Sequence, residues 1–199
     1  MPMIRCGALT LAVALLTACT STAPAGERPT PAAMSQSPTA SPSPQAGVFV
    51  RACDDSVFGE LGPGWRKDSV VIGPISFLGL RGYRHGPDRF FQSRNGRYRA
   101  LKVLAVVTGD REVTVSIADR NTDQVRMKYD PSAWGDRTLY PLEAGDTTTV
   151  FGPCLPHRPT QFNGAFLVTG RACATLEIST GDGEPLRRLV SFGAQSCRD

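Results

Sequence analysis

Short runs of Val, Ile and other apolar residues, separated by turn residues, fill the chain from Val48 to Asp199. Along Val113–Ile117 apolar and polar residues alternate strictly. Such alternation places one face of a β-strand in a core and the other in water. No stretch in this region carries the 3.6-residue periodicity of an amphipathic helix. We therefore predict an all-β domain over residues 48–199, an antiparallel β-sandwich of Greek-key or immunoglobulin-like type with two disulfides.

Two Asn-Gly pairs, Asn95-Gly96 and Asn163-Gly164, predict hairpin turns of type I′, because both residue types tolerate the positive φ angles that these turns require. A third turn is expected at residues 181–183, where two glycines flank an aspartate. Residues 113–129 also have the pattern of a hairpin, with a polar turn at Asp119–Asp123. These turns predict which strands are neighbours.

The N-terminus has the pattern of an export signal. Arg5 is followed by an apolar stretch from Ala8 to Leu16, interrupted only by Thr10, which is too short to cross a membrane as a helix. The stretch ends in Leu16-Thr17-Ala18-Cys19, which resembles the lipobox of bacterial lipoproteins. By that resemblance residues 1–18 are a signal peptide, and Cys19 receives acyl chains such as palmitate. The mature chain is then anchored at the outer face of the cell membrane. The alternative is an ordinary secretory signal in which Cys19 is incidental.

The segment from Cys19 to Gly47 has the composition of a tether. Pro, Ser, Thr and Ala fill 21 of the 28 positions from 20 to 47. A segment of this kind cannot bury enough apolar surface to offset its ordering entropy, so we expect a disordered chain with polyproline II character. As a coil it would reach about 30 Å. A spacer is favoured over a PxxP ligand, which needs a partner domain outside the cytosol.

Four cysteines remain in the exported domain once Cys6 leaves with the signal and Cys19 is acylated. An even number of cysteines in an exported domain predicts two disulfides, for which three pairings exist. We favour Cys154–Cys173, which would join the runs on either side of Asn163-Gly164. Cys53–Cys197 would then tie the ends of the domain together. A zinc site built from all four is the alternative, but no pair has CxxC spacing.

Motifs that carry chemistry are sparse. The chain has no GxSxG, HExxH, Walker or GxGxxG motif, and its two histidines, His85 and His157, lie beside Pro or Gly in expected loops. Asp119–Asp123 mimics the start of a calcium loop, but Gln124 stands where that loop needs Gly, so a polar turn is favoured. The carboxylates of Asp54, Asp55 and Glu60 are expected on the surface. We expect no catalytic residue, cofactor or metal.

An arginine-rich stretch is the local feature that comes nearest to a binding function. Tyr83, Phe90, Phe91 and Tyr98 are interleaved with its arginines. Guanidinium groups bind phosphate and carboxylate, and aromatic rings offer stacking faces. The alternative is a hairpin with arginines in water and aromatics in the core. The candidate anion-binding residues are Arg81, Arg84, Arg89, Arg94, Arg97 and Arg99.

The domain as a whole resembles uncharacterised secreted lipoproteins of high-GC Gram-positive bacteria. The similar residues are Val71–Phe77, Lys102–Leu104 and Thr160–Gly164. The resemblance implies a location and a fold class, and no activity. We expect a non-enzymatic binding or structural domain, with a cell-wall or other envelope polyanion as its partner. No nucleic acid is expected, because a net charge of +4 is too small to imply one.

The alternative function is a hydrolase of envelope polymers that gathers carboxylates from distant loops. Two facing carboxylates, or a histidine beside a nucleophile, would favour it. A flat or merely basic face would favour binding.

Overall fold

The computed structural model describes residues 47–132, 134, 139–154, 158–181 and 183–198. The predicted signal peptide, Cys19, the tether up to residue 46 and His157 lie outside the described residues. Within the described ranges, no helix is long and apolar enough to cross a membrane.

The described residues form strands and short 3-10 helices, so the all-β prediction is confirmed. One sheet has the order β1 (Val48–Arg51), β10 (Thr148–Phe151), β7 (Val113–Ile117), β13 (Ala172–Ser179), β14 (Leu186–Phe192). A second has the order β11 (Thr160–Phe162), β6 (Leu104–Val107), β3 (Ile75–Leu78), β2 (Val70–Ile72). The third has the order β4 (Ser93–Arg94), β5 (Arg97–Lys102), β12 (Ala165–Val168), β8 (Val125–Lys128), and β9 (Leu139–Pro141) pairs with β5.

The 3-10 helices are short connectors between strands. They comprise Cys53–Asp55, Trp65–Asp68, Leu80–His85, Asp88–Phe90, Asp119–Asn121 and Leu142–Ala144.

The sheets pack as a sandwich around one main core, as the alternating pattern predicts. On β7 the apolar residues Val113, Val115 and Ile117 are buried, whereas Thr114 and Ser116 are partly exposed. Strand pairing is antiparallel apart from β1 and β10, which run parallel with Val48 opposite Thr148. Because the two strands run parallel, the C-terminal ends of β1 and β10 lie side by side at the same end of the first sheet.

The predicted hairpin at Asn95-Gly96 is confirmed. Both residues have positive φ angles, 52° and 68°, and they join β4 to β5 with Arg94 opposite Arg97. The turn near residue 181 is confirmed as well, since β13 and β14 pair antiparallel from Ala172 and Phe192 to Ile178 and Leu186.

The two other predicted hairpins are wrong. At Asn163-Gly164 the chain crosses between sheets, because β11 pairs with β6 whereas β12 pairs with β5 and β8. Residues 113–129 likewise contain β7 of the first sheet and β8 of the third. At Asn163-Gly164 neither residue has a positive φ angle, so the predicted type I′ turn is wrong as well. The Asp119–Asp123 turn is present, but it joins strands of two different sheets.

Two disulfides are present, but their pairing differs from the one favoured above. The bonds join Cys53 to Cys154 and Cys173 to Cys197, with Cα–Cα distances of 5.1 and 5.7 Å. Cys53 and Cys154 follow the parallel strands β1 and β10, in which Arg51 lies opposite Phe151, so the two cysteines leave the sheet side by side. The predicted Cys154–Cys173 bridge depended on a hairpin at Asn163-Gly164 that does not exist.

Tyr129 lies where all three sheets meet. Its fully buried ring makes edge contacts with Phe151 of the first sheet at 5.0 Å and with Phe166 of the third at 6.2 Å. Its hydroxyl donates a hydrogen bond to the carbonyl of Val103, just before β6 of the second sheet, at 3.1 Å. A buried hydroxyl that finds an acceptor avoids the cost of an unmade hydrogen bond.

Arg51 brings a charged group into this core. The side chain is buried, donates from Nη1 to the carbonyl of Tyr129 and from Nη2 to the carbonyl of Asp55 at 2.5 Å, and lies over the Phe162 ring at 5.4 Å. Burial lowers the pKa of Arg51, and attraction to Asp55 and Asp130 opposes that shift. The guanidinium therefore ties β1 to the chain that leaves β8.

Gly164 packs directly against the Tyr129 ring, and a Cβ at position 164 would overlap that ring. We predict that Gly164→Ala lowers the free energy of unfolding by about 1–3 kcal/mol or more, through overpacking of the core. Gly170→Ala is the matched control, because a Cβ there meets nothing within 4 Å. The control should stay within about 0.5 kcal/mol of wild type in urea unfolding. Equal effects at both positions would contradict this account of Tyr129.

Candidate functional site

The six candidate arginines lie on two 3-10 helices and one hairpin. Arg81 and Arg84 lie on the Leu80–His85 helix, and Arg89 lies on the next 3-10 helix over the ring of Phe90 at 5.3 Å. The other three belong to the β4–β5 hairpin. Arg94 lies opposite Arg97 in that hairpin, and Arg99 lies opposite Leu139 of β9. The alternative of a hairpin with arginines in water therefore applies to Arg94, Arg97 and Arg99, whereas Arg81, Arg84 and Arg89 lie on 3-10 helices. Anion binding by the six arginines stays a prediction.

The interleaved aromatic residues face the interior. Phe91 is buried in the main core, and Tyr83 and Phe90 pack against that core with their rings 5.5 Å apart. Tyr98 packs on a second, smaller cluster around Tyr140. Burial raises the pKa of Tyr83, and its hydroxyl donates to the carbonyl of Lys102 at 3.1 Å. These rings support the domain and are not stacking faces for a ligand.

The Leu80–His85 helix places Arg81 and Arg84 on the same side. Residues three apart in a 3-10 helix are eclipsed, so Leu80 and Tyr83 share one side and the two arginines share another. Leu80 is fully buried, Tyr83 is half-buried, and both arginines are exposed. The core contact of this helix therefore directs both guanidinium groups outward together.

Arg81 and Arg84 meet a third arginine, Arg188 of β14, at an open groove of about 410 Å³. The groove lies between β2 and β14, which are edge strands of two different sheets. Its other lining residues are mainly apolar, and the full set is Val70, Val71, Arg81, Arg84, Arg188, Leu189, Val190 and Ser191. We call this set the arginine groove.

Contacts with the C-terminal segment hold Arg84 in place. The Nε of Arg84 donates to the carbonyl of Gln195 at 2.7 Å. Gln195 lies two residues before Cys197, which the disulfide ties to Cys173 on β13. The wall that carries Arg84 is thus hydrogen-bonded to a segment that the disulfide fixes to the first sheet.

Arg171 makes further contacts that stabilise the Leu80–His85 side of the arginine groove. It donates to the carbonyls of Gly193 at 2.5 Å and Gly86 at 2.8 Å, and its Nη2 lies 2.6 Å from a carboxylate oxygen of Asp88. Gly86 ends the Leu80–His85 helix, and Gly193 follows β14. Arg171 therefore joins the two elements that carry the groove arginines.

The electrostatics of the arginine groove are unbalanced. In the described part of the chain, the two ion pairs are Arg171–Asp88 and Arg187–Glu177, so Arg81, Arg84 and Arg188 have no carboxylate partner. None of the described lining residues is acidic. Three exposed cations on an apolar floor favour an anionic ligand with an apolar part.

Sequence reasoning missed Arg188 and the apolar floor. Arg188 and the buried Val190 lie two positions apart on β14. Because alternate residues of a strand share a face, the sequence could have placed Arg188 on the same face as Val190. The proximity of β14 to β2 is a contact between two sheets, and no local pattern predicts it.

The other candidate residues in the described part of the chain lie on different elements. Within the described ranges, no group of three or more His, Cys, Asp or Glu side chains is placed to hold a metal ion. Asp54 and Asp55 lie on the Cys53–Asp55 helix, whereas Glu60 lines a separate cavity beside Cys154. His85 is exposed in a shallow depression beside Asp88.

A polar depression of about 500 Å³ on the outer face of the first sheet contains two carboxylates, those of Asp119 and Glu177. Glu177 is held in an ion pair with Arg187, its carboxylate oxygen 3.1 Å from Nε. On the same face, the hydroxyls of Ser116 and Thr148 are hydrogen-bonded to each other at 3.1 Å. The polar groups of this face are thus largely paired with one another.

Lys128 is a buried cation that no sequence signal marked. Its side chain is 1% exposed, and Nζ lies 4.6 Å from the ring centre of Tyr140 and 5.8 Å from that of Trp134. Nζ has no hydrogen-bond acceptor in the described structure. Burial lowers the pKa of Lys128, and attraction to Asp130 and Asp146 opposes that shift. The aromatic rings are its main compensation for lost water.

The chain matches no protein-family model and no curated protein. The arginine groove is therefore the basis on which its function is argued.

Lys128→Met tests the cost of the buried charge. Because the folded-state pKa is lowered, the unfolded chain binds the proton more tightly, and stability rises with pH between the lowered pKa and about 10.4. We predict that the variant's stability relative to wild type is greatest at neutral pH and declines as the pH rises through this window. Urea unfolding at a series of pH values measures it. Lys102→Met, at an exposed position on β5, controls for the change in net charge. A pH-independent difference would show that burial does not shift Lys128.

Proposed function

We propose that this protein is a membrane-anchored lipoprotein whose β-domain binds an anionic envelope component in the arginine groove. The observation that carries the proposal is the convergence of Arg81, Arg84 and Arg188 on one groove without an acidic residue. A guanidinium binds phosphate and carboxylate through paired N–H donors. Arg81 and Arg84 each donate one hydrogen bond to a backbone carbonyl, those of Lys67 and Gln195, but none of the three arginines has a carboxylate partner among the described residues, which suits an external anion.

The anchor and tether are argued from the sequence. Leu16-Thr17-Ala18-Cys19 follows a short apolar stretch, and the Pro/Ser/Thr/Ala-rich segment separates Cys19 from β1. Two disulfides support the same compartment, because disulfides persist in oxidising surroundings outside the cytosol. We infer display on the outer face of the cell membrane.

Binding suits the arginine groove better than catalysis. The one hydroxyl among its described lining residues, that of Ser191, donates to the carbonyl of Ala194 at 2.5 Å. A nucleophile needs a base within hydrogen-bond reach, and no histidine or carboxylate lines the groove in the described residues. For the alternative of an envelope hydrolase, the depression with Asp119 and Glu177 offers two carboxylates. There the ion pair to Arg187 already engages one carboxylate.

The groove proposal predicts salt-dependent binding of a phosphate polymer. Residues 20–199 without lipid should bind synthetic poly(glycerol phosphate) in calorimetry, and added salt should weaken the binding through screening. Replacing Arg81, Arg84 and Arg188 with Gln should weaken it by about 3-fold to about 150-fold, since exposed charge pairs contribute about 0.2–1 kcal/mol each. The control replaces Arg94, Arg97 and Arg99, which removes the same charge away from the groove. If both triple variants lose the same amount of binding affinity, the binding depends on net charge and not on the arginine groove.

The anchor is tested separately. Cys19→Ser should stop processing after residue 18 and abolish detergent-phase partitioning of the mature form, because the acceptor of the acyl chains is gone. Phase partitioning and the intact mass of the mature chain are the measurements. Cys6→Ser, within the predicted signal peptide, is the control and should leave both unchanged. Normal processing and partitioning of Cys19→Ser would refute the anchor.

A further inference from the structure

Exposed apolar side chains lie beside the arginine groove. Val71 lines the groove and is 40% exposed, and Leu186, at the start of β14, is 51% exposed. Leu186 lies against Gly73, two residues after Val71, so the two apolar groups are neighbours. Among the described residues, only two other large apolar side chains, Val50 and Phe58, are exposed. Two of the four exposed large apolar side chains of the described residues thus lie beside three arginines that have no carboxylate partner there.

This combination matches the chemistry of an anionic membrane surface. Peripheral membrane sites join basic side chains, which attract lipid phosphates, to apolar side chains that enter the boundary of the acyl layer. A wall polymer of phosphate diesters would satisfy the arginines but would leave Val71 and Leu186 in water. The groove volume of about 410 Å³ is in the range of small-ligand sites and suits a single headgroup.

The proposed lipid anchor would bring such a surface within reach. A flexible linker makes the second contact intramolecular, with an effective concentration near the millimolar range. A headgroup site of modest affinity is then sufficient to hold the domain on the bilayer.

Resting on the proposed function, we propose that the anionic ligand is the membrane itself. A lipid phosphate lies among Arg81, Arg84 and Arg188, and Val71 and Leu186 enter the acyl boundary. The domain thus alternates between a tethered state and a state docked face-on to the bilayer.

The test measures partitioning of unlipidated residues 20–199 onto vesicles by co-sedimentation. Vesicles that contain phosphatidylglycerol are compared with vesicles of phosphatidylcholine alone, and poly(glycerol phosphate) is the soluble anion. Replacing the three groove arginines with Gln should lower partitioning on the order of 100-fold, since each basic residue near an anionic surface contributes about fivefold. The Arg94, Arg97 and Arg99 variant is the charge-matched control and should lose far less.

The apolar pair separates the membrane proposal from simple anion binding. Val71→Thr combined with Leu186→Gln should lower partitioning onto anionic vesicles at least about tenfold and leave poly(glycerol phosphate) binding unchanged. Thermal unfolding confirms that each variant is folded.

Three outcomes would overturn the inference. If the apolar variant binds vesicles like wild type, the membrane insertion is wrong and the anion-binding function stands. If the polymer binds and vesicles do not, the ligand is a polyanion without acyl chains. If neither probe binds and the arginine variant self-associates, the arginines only protect the edges of β2 and β14 from pairing, and the proposed function falls too.

Discussion

The packing of Tyr129 is the interaction on which the rest of the structure depends. Three sheets that share few hydrogen bonds need a common core, and the Tyr129 ring supplies it through contacts with Phe151 and Phe166. Its hydroxyl reaches Val103, and its backbone carbonyl accepts a bond from Arg51. Tyr129 and the buried Arg51 thus connect the sheets of a β-domain that has no α-helix in its described residues.

The arginine groove is a consequence of how the sandwich ends. The core closes at Val190 and Phe192, and beyond them β14 continues past the edge of β2 without a covering element. The positions of β14 that share a face with Val190 and Phe192 are Arg188 and Leu186, and there both side chains are exposed. The Leu80–His85 helix then contributes Arg81 and Arg84 because its opposite side must bury Leu80. One side of this short helix therefore packs into the core, and the opposite side contributes two arginines to the surface.

Local features of this fold were predictable and long-range ones were not. Alternation in Val113–Ile117 and the Asn95-Gly96 turn depend on neighbouring residues, and both were predicted correctly. The partner of a strand depends on the whole core, so the Asn163-Gly164 crossing and the pairing of Cys53 with Cys154 were missed. The site divides in the same way: Arg81 and Arg84 are visible as a local cluster, whereas Arg188 joins them from more than 100 positions away.

The bond between Cys53 and Cys154 also determines how the domain carries a mechanical load. A pull on the N-terminal side of β1 reaches Cys53 after β1 alone, and the disulfide passes it directly to Cys154. The intervening chain, with a sequence separation of 101, lies outside that path. Tension can therefore peel β1 from β10 but cannot unravel the strands between the two cysteines. Of the described strands only β1 precedes Cys53, so on the N-terminal side of the bridge the load falls on its four residues.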